Sequence, residues 1–296
     1  MVLCICLNPA IDKYVKENNT PITISYGGKA INTAVTLSVL GVPSTVLGFV
    51  GEQEYSQYDD MLSSRGITNR LIPSSPHTRT NLKIICNNGD ITEKNERGFS
   101  PDKNSQLLLL DEVSRLTKTH DIALISGSLP PGIDSSYLLK IISRLTIPFV
   151  LDTYPTDIHD ILKQKPLLIK PNRYELAKIL GETYDNEEEI SSHAKKLLNY
   201  GVQNILISLD KTGAILINNQ TCIYAKSPLL DTISTVGAGD SMIAGYIYSY
   251  LNGFDHTSTL INAVSAGSSH TLTEGTLPMQ KSDYIRLKQE ISVTSI

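Results

Sequence analysis

The sequence predicts an α/β fold in which helices cover both faces of a mostly parallel sheet. Short apolar segments alternate along the chain with segments whose apolar residues recur at helical spacing. This alternation favours parallel strands, because a helix commonly supplies the crossover between parallel neighbours. The apolar segments are continuous, as is typical of strands buried on both faces. With 296 residues, 41% of them hydrophobic, the chain is long enough to bury such a sheet.

The body of the fold is predicted to begin with a strand at 2–7 and a helix at 30–40. A glycine directly after the last periodic residue is a common helix stop, and Gly41 stands in that place. The remaining elements are predicted, in chain order, as a strand at 45–50, a helix at 53–65, a strand at 122–126, a helix after Asp134, strands at 149–152 and 167–170, a helix from Tyr174, a helix at 187–200, a strand at 204–208, a hairpin of 214–218 with 222–226, and helices at 240–251, 257–272 and 282–290.

Two parts of the chain do not follow this alternation. Residues 79–86 and 91–96 show the two-residue period of strands, and Asn88-Gly89 between them is a strong hairpin signal. Residues 22–26 form another short strand candidate. These stretches hold too few apolar residues for a core of their own. We therefore expect one domain over residues 1–296, with a small β flap built from segments near 12–27 and 77–100.

Charge, hydropathy and cysteine spacing exclude several classes of protein. The 26 basic and 30 acidic residues give a net charge of −4, so a nucleic-acid surface is not expected. No apolar run approaches the roughly 18 residues of a membrane span, and the apolar start lacks the basic flank of a signal peptide. We therefore expect no membrane partner and a cytoplasmic location. The four cysteines lack CxxC spacing and the six histidines lack an HExxH pair, which predicts reduced thiols and no zinc site.

The strongest chemical signal is the segment STVGAGDSMIAGY at 234–246. Gly237, Ala238 and Gly239 allow backbone N–H groups to converge at the start of the following helix, which favours a phosphoryl group in transfer. Asp240 can then accept the proton of an attacking alcohol. The alternative is a tight turn in which Asp240 only stabilises the helix dipole. The segment matches neither GxGxxG nor GxxxxGK[ST], so dinucleotide and P-loop sites are not expected.

A glycine pair opens the first long helix, in YGGKAIN at 26–32. Gly28 permits close approach of a ligand, Lys29 offers a charge for a phosphate, and Asn32 can hydrogen-bond sugar hydroxyls. The loop can equally serve only as a helix cap. Asp12 follows the first strand, at the strand ends where open α/β sheets bind ligands. Its alternative is a plain surface charge.

The flap and one further turn supply other candidates for ligand binding. Arg79 and Lys83 are four residues apart, so both fall on one face of a strand. Two cations on one face suggest an anionic ligand, although charged edge strands also block aggregation. Ser128, in SGSLPPG at 126–132, is a candidate for the same ligand. That segment is otherwise a simple strand-to-helix turn.

The segment IKPNRYEL at 169–176 predicts a metal and nucleotide site. Asn172 and Glu175 lie one helical turn apart and can hold a hydrated Mg²⁺ through water, while Lys170 can reach a nucleotide phosphate. The same pair also has the form of a helix capping box, which explains the pattern equally well.

Four motifs, GGKAIN, SGSLPPG, IKPNRYEL and STVGAGDSM, resemble in order and distance those of the ribokinase-like sugar kinases of the PfkB family. The resemblance runs from Asn8 to at least residue 276. It implies a ribokinase-like three-layer α/β/α sandwich with a β lid, ATP as donor, Mg²⁺, and phosphorylation of a ketohexose phosphate on its free primary hydroxyl. By position, the resemblance implies that Asp240 is the catalytic base and that the anion hole is formed by Gly237, Ala238 and Gly239. It implies that the acceptor is bound by Asp12, Gly28, Lys29, Asn32, Arg79, Lys83 and Ser128. It implies that nucleotide and Mg²⁺ are bound by Lys170, Asn172, Glu175, Ser208, Gly213 and Ser268.

Within the family the likeness is greatest to bacterial 1-phosphofructokinases. Lys29 implies the branch of the 1-phosphofructokinases or that of the tagatose-6-phosphate kinases, since the minor 6-phosphofructokinase has glycine at this position. Lys83 then favours the 1-phosphofructokinases. The resemblance thus implies conversion of fructose 1-phosphate to fructose 1,6-bisphosphate. Tagatose 6-phosphate and, after it, fructose 6-phosphate are the alternative acceptors. A sugar-phosphate sensor is the non-enzyme alternative, against which intact Asp240, Asn172 and Glu175 argue.

The chain departs from the family pattern in three places. The stretch from Asp12 to Gly27 is shorter than usual and lacks the customary lid residues before the glycines. LDTYPT at 151–156 replaces a small-residue turn, and Asp210 replaces a glycine in SLDKTGA. These departures predict a reduced lid. They leave open whether the chain forms a homodimer through it.

Overall fold

The computed structural model describes residues 1–16, 18, 20–85, 91–184, 187–275 and 277–296, whose strands form two sheets. In chain order these are β1 (Val2–Cys6), β2 (Ala10–Lys16), β3 (Pro21–Gly27), β4 (Ser44–Gly51), β5 (Thr68–Ser75), β6 (Thr80–Ile85), β7 (Ile91–Asn95), β8 (Ile122–Ser126), β9 (Phe149–Asp152), β10 (Leu168–Ile169), β11 (Asn204–Ser208), β12 (Gly213–Ile217), β13 (Cys222–Lys226) and β14 (Val293–Ser295).

The main sheet has ten strands in the order β14-β13-β12-β11-β10-β9-β8-β1-β4-β5. Neighbours from β5 to β11 run parallel, and the three strands beyond β11 are antiparallel. Parallel strands all end at the same edge of a sheet, where open α/β folds bind ligands. The ends of β9, β10 and β11 therefore lie side by side, although their residues are far apart in the chain.

Helices pack on both faces of this sheet, which confirms the predicted fold class. They are α1 (Lys29–Val39), α2 (Tyr55–Ser63), α3 (Lys103–Leu116), α4 (Ser135–Ile142), α5 (His159–Leu162), α6 (Arg173–Leu180), α7 (Glu187–Ala194), α8 (Ala238–Leu251), α9 (His256–His270) and α10 (Lys281–Leu287), with 3₁₀ helices at Lys195–Tyr200 and Asp210–Thr212. In β1, Cys4 and Cys6 belong to the core cluster that includes residues of α1, α8 and α9, while Leu3 and Ile5 belong to the cluster that includes residues of α3, α4 and α7. This alternation follows from the pleat, because successive side chains point to opposite faces.

The second sheet has four strands in the order β3-β2-β6-β7 and is called the lid below. The strands β6 and β7 pair antiparallel, as the sequence predicts, while their turn at Asn88-Gly89 lies outside the described residues together with Cys86. Asp12 was expected just beyond a strand of the main sheet. It lies instead within β2 of the lid, because the chain turns at Asn8 and Pro9 and enters a new strand at Ala10.

The sequence patterns did not predict several elements of the structure correctly. The strand β5 contains Pro73 and is partly exposed, as suits an edge strand, so it lacks a continuous apolar run. Four consecutive leucines in α3 obscure its helical period, although Asp102 caps its first turn through two backbone N–H groups. The short elements α5 and β14 were likewise not predicted. The helix expected at 187–200 divides into α7 and a 3₁₀ helix.

The described residues include no helix long and apolar enough to cross a membrane. The thiols of Cys4, Cys6 and Cys222 are free. Burial raises the pKa of Cys6 to about 11, so its thiol stays protonated near neutral pH.

Candidate active site

A cavity of about 1160 Å³ lies between the lid and the carboxyl ends of the main sheet. A pocket for one small molecule typically measures roughly 300 to 1,000 Å³, so this cavity is larger than a pocket for one small ligand usually is. It gathers sixteen of the seventeen residues predicted for the site, namely Asp12, Gly28, Lys29, Asn32, Arg79, Lys83, Lys170, Asn172, Glu175, Ser208, Gly213, Gly237, Ala238, Gly239, Asp240 and Ser268.

Asp240 lies at the centre of this cavity, in the first turn of α8. Its side chain is 5% exposed, and Asn32 Nδ2 donates a 2.8 Å hydrogen bond to its Oδ2. Burial, followed by the negative charge of Asp152, raises the pKa of Asp240 to about 7. Lys29, Asn32 and Lys170 oppose this rise. A carboxyl with this pKa can accept a proton from an alcohol near neutral pH and later release it.

The residues before Asp240 leave the start of α8 open to an anion. Gly237 is the N-cap in a left-handed conformation, with φ at 83°, and no side chain caps the helix. The first N–H groups of a helix lack partners within it and attract negative charge. A Cβ on Gly239 would lie 3.0 Å from Lys170 Nζ, so the lysine ammonium stands directly over this turn.

Two lysines share one buried carboxylate beside this turn. Asp152, at the end of β9, has a fully buried side chain. Lys29 Nζ lies 3.3 Å from Asp152 Oδ2, and Lys170 Nζ lies 3.7 Å from Oδ1. Ser126 also donates a 2.9 Å hydrogen bond to Oδ2, while Oδ1 has no hydrogen-bond partner. Asp152 thus holds both ammonium groups near Asp240.

The charge balance around Lys29 keeps it protonated. Burial acts to lower its pKa, but the carboxylates of Asp152, Asp240 and Glu175 outweigh this and raise the pKa. Lys29 therefore presents a positive charge to the cavity that it lines.

The lid side of the cavity carries a second set of charges. Lys83 is 6% exposed, and its Nζ lies 3.1 Å from the hydroxyl of Tyr14 and 3.6 Å from Glu93 Oε1. Asn81 donates a 2.9 Å hydrogen bond to Asp12 Oδ1. Burial raises the pKa of Asp12 above its usual value.

Most of the hydrogen bonds of Arg79 go to backbone carbonyl groups next to the lid strands. Its guanidinium donates to the carbonyl oxygens of Asn8, Pro9 and Glu96 at 3.2 to 3.3 Å. It also donates to Asn81 Oδ1 at 3.3 Å. Arg79 therefore braces the base of the lid while it lines the cavity.

Ser128 is the predicted site residue that the structure does not bring into the cavity. Gly127 before it has φ at 109°, and the turn leaves Ser128 exposed. Its hydroxyl accepts a 2.9 Å hydrogen bond from Asn8 Nδ2. Because Asn8 also accepts from Arg79, Ser128 supports the lid base from outside the cavity.

Asn172 and Glu175 form the capping box that the sequence offered as an alternative. Asn172 Oδ1 accepts from the Glu175 N–H at 2.8 Å, and Glu175 Oε2 accepts from the Asn172 N–H at 2.8 Å. Both residues also line the cavity, and Glu175 Oε1 lies 3.8 Å from Lys29 Nζ. The two residues therefore cap α6 and line the cavity at the same time.

The far end of the cavity is lined by small and apolar residues together with the charged Asp210, Lys211 and Lys226. Gly213 has φ at 138°, and a Cβ there would meet the Ala225 carbonyl oxygen at 1.9 Å, so only glycine fits. Ser208 and Ser268 lie at the same end. Pro228, Leu229 and Leu230 also line the cavity, and Leu229 is 97% exposed.

Sequence reasoning missed Asp152, Asn81 and Glu93. One signal was available for Asp152, because it ends an apolar strand at the edge where parallel strands bind ligands. Asn81 and Glu93 had no such signal. Their place in the cavity depends on the register of β6 against β2 and β7.

Comparisons with known proteins identify the family of this chain. A model of the pfkB family of carbohydrate kinases matches residues 2–282. The 1-phosphofructokinase of Borreliella burgdorferi is 34% identical over 284 residues, covering 92% of both chains, and that of Escherichia coli K12 is 32% identical over 280 residues, covering 90% of this chain and 89% of the other. The structure of phosphofructokinase-2 from E. coli with substrates and products shares the fold, with a TM-score of 0.89 at 22% identity and 98% coverage of both chains. The chain belongs to the pfkB family of carbohydrate kinases.

Proposed function

We propose that this chain transfers a phosphoryl group from ATP to fructose 1-phosphate and releases fructose 1,6-bisphosphate, with Asp240 as the general base. The observation that carries this proposal is the buried Asp240 carboxyl with a pKa of about 7 beside an uncapped helix start. The acceptor assignment is supported by the lysines on the sugar side and by the names of the relatives at 34% and 32% identity.

Asp240 accepts the proton of the primary hydroxyl as the oxygen attacks phosphorus. Asn32 holds Oδ2 through its hydrogen bond, which leaves Oδ1 to receive the proton. The backbone N–H groups at the start of α8 stabilise the charge that develops on the transferring group. Lys29 and Lys170, both held by Asp152, add positive charge on the two sides of that group.

ATP is the donor that the kinase family implies, and the far end of the cavity fits it. Backbone and small side chains at Ser208, Gly213 and Ser268 leave space close to the chain. The apolar side chains of Pro228, Leu229 and Leu230, which line the cavity, suit a nucleobase. Lys170 then reaches the phosphates from the end of β10.

A hydrated Mg²⁺ fits Asn172 and Glu175 only through bound water. Their Oδ1 and Oε2 atoms each accept a backbone hydrogen bond, and each retains a lone pair for water. In the described part of the chain no three His, Cys, Asp or Glu side chains converge as direct ligands. When bound, the ion would neutralise charge on the donor phosphates.

Glu175→Gln tests the Mg²⁺ assignment, because glutamine also completes a capping box but carries no charge. We expect a higher Mg²⁺ concentration at half-maximal rate and an unchanged Tm. An unchanged Mg²⁺ titration with a lowered Tm would leave only the capping role.

The lid binds the phosphate already present on the acceptor. Arg79 and Lys83 of the lid and Lys29 of α1 all line the cavity, so a phosphorylated sugar offers these cations an anionic partner that a free sugar lacks. Each charge-assisted contact contributes about 1.5 to 3 kcal/mol when it is desolvated.

Steady-state kinetics with four acceptors tests the function. We expect kcat/KM for fructose 1-phosphate to exceed that for tagatose 6-phosphate and fructose 6-phosphate by at least about tenfold, and that for free fructose by more. A higher value for tagatose 6-phosphate would make that sugar the substrate. Absence of ADP release with all four acceptors would support a sensor instead.

We also propose that two copies of the chain pair through their lids. Cross-strand register places Ile24 and Leu82 on the lid face opposite to Asp12 and Asn81. Ile22 and Ile24 are about half exposed on the edge strand β3. Analytical ultracentrifugation tests this pairing. We expect a dimer for the native chain and a monomer for Ile24→Glu.

A further inference from the structure

His270 is a buried titratable group that the proposed reaction does not use. It is the last residue of α9 and is 2% exposed. Its Nδ1 lies 3.0 Å from Ser241 Oγ, which lies 2.9 Å from Thr36 Oγ1. This chain of polar groups joins α9 to α8 and α1, next to Asp240 and near Asn32.

The other ring nitrogen faces the loop before Asp240. A Cβ on Gly237 would lie 2.5 Å from His270 Nε2 and within 3.2 Å of two ring carbons. The imidazole edge is therefore packed directly against the Gly237 backbone. Nε2 is buried and has no hydrogen-bond partner.

The residue after His270 fixes the same loop from its other end. The N–H groups of Ile233 and Ser234 both donate to the Thr271 carbonyl oxygen, at 2.8 and 3.2 Å. The end of α9 thus contacts the loop at its start through Thr271 and at Gly237 through His270.

Burial lowers the pKa of His270, while polar backbone groups of Gly275 and Val236 near the ring act to raise it. The ring is therefore neutral at pH 7 and can carry its single proton on Nε2 while Nδ1 accepts from Ser241. In that tautomer Nε2 is a donor that faces the loop backbone.

We propose that His270 is a positioning residue for phosphoryl transfer, which holds the loop of Gly237, Ala238 and Gly239 through Nε2 and α8 through Nδ1. This inference rests on the proposed function. Hydrogen bonds in such sites are often incomplete until the reacting group is bound. The Nε2–H group donates to the loop backbone when the loop closes on an anion, so its contribution is greatest in the transition state.

His120 offers a matched control. It is also buried, at 6% exposure, and burial lowers its pKa. Both its nitrogens have partners, Leu116 O at 2.8 Å and Thr45 Oγ1 at 2.9 Å. It lies near the amino ends of β4 and β8, at the sheet edge opposite to the cavity.

Three variants separate the two nitrogens of His270. An asparagine amide approximates the position of Nδ1, a glutamine amide approximates that of Nε2, and alanine replaces neither. We expect His270→Ala and His270→Asn to lower kcat by about tenfold to a hundredfold with little change in KM for fructose 1-phosphate. His270→Gln should recover most of that loss. His120→Ala should lower Tm and leave kcat unchanged.

A second readout does not depend on the acceptor. Calorimetry compares the affinity for ADP alone with that for ADP plus aluminium fluoride, a mimic of the transferring group. We expect His270→Ala and His270→Asn to lose at least about tenfold of the extra affinity that the mimic provides, at unchanged ADP affinity. If native protein shows this extra affinity but phosphorylates none of the sugars, only the proposed acceptor fails.

The proposal for His270 is overturned by either of two results. One is that His270→Asn and His270→Gln match the native kcat and mimic affinity. The other is that all His270 variants lose rate only in proportion to their lowered Tm, as a purely structural residue would.

Discussion

The lid side and the main-sheet side of the cavity differ in the groups that they offer to a negatively charged ligand. On the lid, Lys83 and Arg79 already have partners, which are Glu93 and Tyr14 for the lysine and backbone carbonyls for the arginine. On the body, the start of α8 offers uncapped backbone N–H groups beside the buried Asp240. A lid charge therefore has to exchange partners to bind a ligand. The backbone N–H groups on the main-sheet side need no such exchange. We therefore expect substitutions on that side to lower activity more than substitutions on the lid.

The largest effect is expected from Asp240→Asn. Removal of the base should lower kcat roughly 10²- to 10⁴-fold, while binding of ATP, measured by calorimetry, stays the same. Native kcat/KM should fall as the pH drops below about 7, because Asp240 is then protonated. Near-normal turnover of the variant at saturating acceptor would remove Asp240 from its assigned role.

The same substitution should stabilise the fold. The pKa of Asp240 is raised on folding, so its contribution to stability is full below the unfolded value of 3.8 and is lost as the pH rises through about 7. Asparagine imitates the protonated form. A thermal scan at pH 8 should show a Tm higher by about 2 to 4 °C. A lowered Tm would contradict the assigned cost of this buried charge.

Gly237→Ala is expected to have the next largest effect, a loss of kcat of about a hundredfold. The new methyl group would collide with His270 and displace the loop. Gly41→Ala is the matched control, since Gly41 has a similar φ of 78° with no atom within 4 Å of the added Cβ. The Gly41→Ala variant should lose about 1 to 2 kcal/mol of stability, because alanine disfavours the left-handed conformation, and should keep the native rate. Equal rates for both variants would mean that the loop position does not control catalysis.

A smaller effect is expected on the lid from Lys83→Met, which keeps the apolar stem and removes the charge. We expect kcat/KM for fructose 1-phosphate to fall about tenfold and that for free fructose to change little, with KM for ATP unaltered. Equal losses for the two sugars would mean that Lys83 supports the lid and does not bind the phosphate.

The smallest effect, and one of opposite sign, is expected from Glu93→Gln. Glu93 is half-exposed and lies 3.6 Å from Lys83, so it competes with an incoming phosphate. Its neutralisation should lower KM for fructose 1-phosphate about two- to threefold, and salt should reduce the difference. An increase in KM would mean that Glu93 positions Lys83 for the ligand.

Much of the fold was predictable because its signals are local. The strands at Ile122–Ser126, Phe149–Asp152 and Asn204–Ser208 have the bounds that their apolar runs predict. The lid hairpin followed from a two-residue period. The strand β5 and the helix α3 were missed, since an edge strand and a run of leucines carry no clear period.

The candidate site was predictable where its residues are contiguous. Gly237 to Asp240 needed only the knowledge that a helix follows, and Asn172 and Glu175 needed only their spacing. Ser128 showed the limit of this reasoning. Its position depends on the turn at Gly127 and on Asn8, which is 120 residues away in the chain.

The sequence by itself determined the alternation of strands and helices, the cap of α6 and the glycine turn before Asp240. Each depends on hydrogen bonds and steric limits within a few residues. The tertiary structure alone decided that Asp152 holds both Lys29 and Lys170, that Arg79 bonds to the backbone at the lid base, and that burial raises the pKa of Asp240 to about 7. Burial and charge interaction depend on distance in space, and sheet order brings together groups such as Lys29 and Asp152, which are 123 residues apart in the chain.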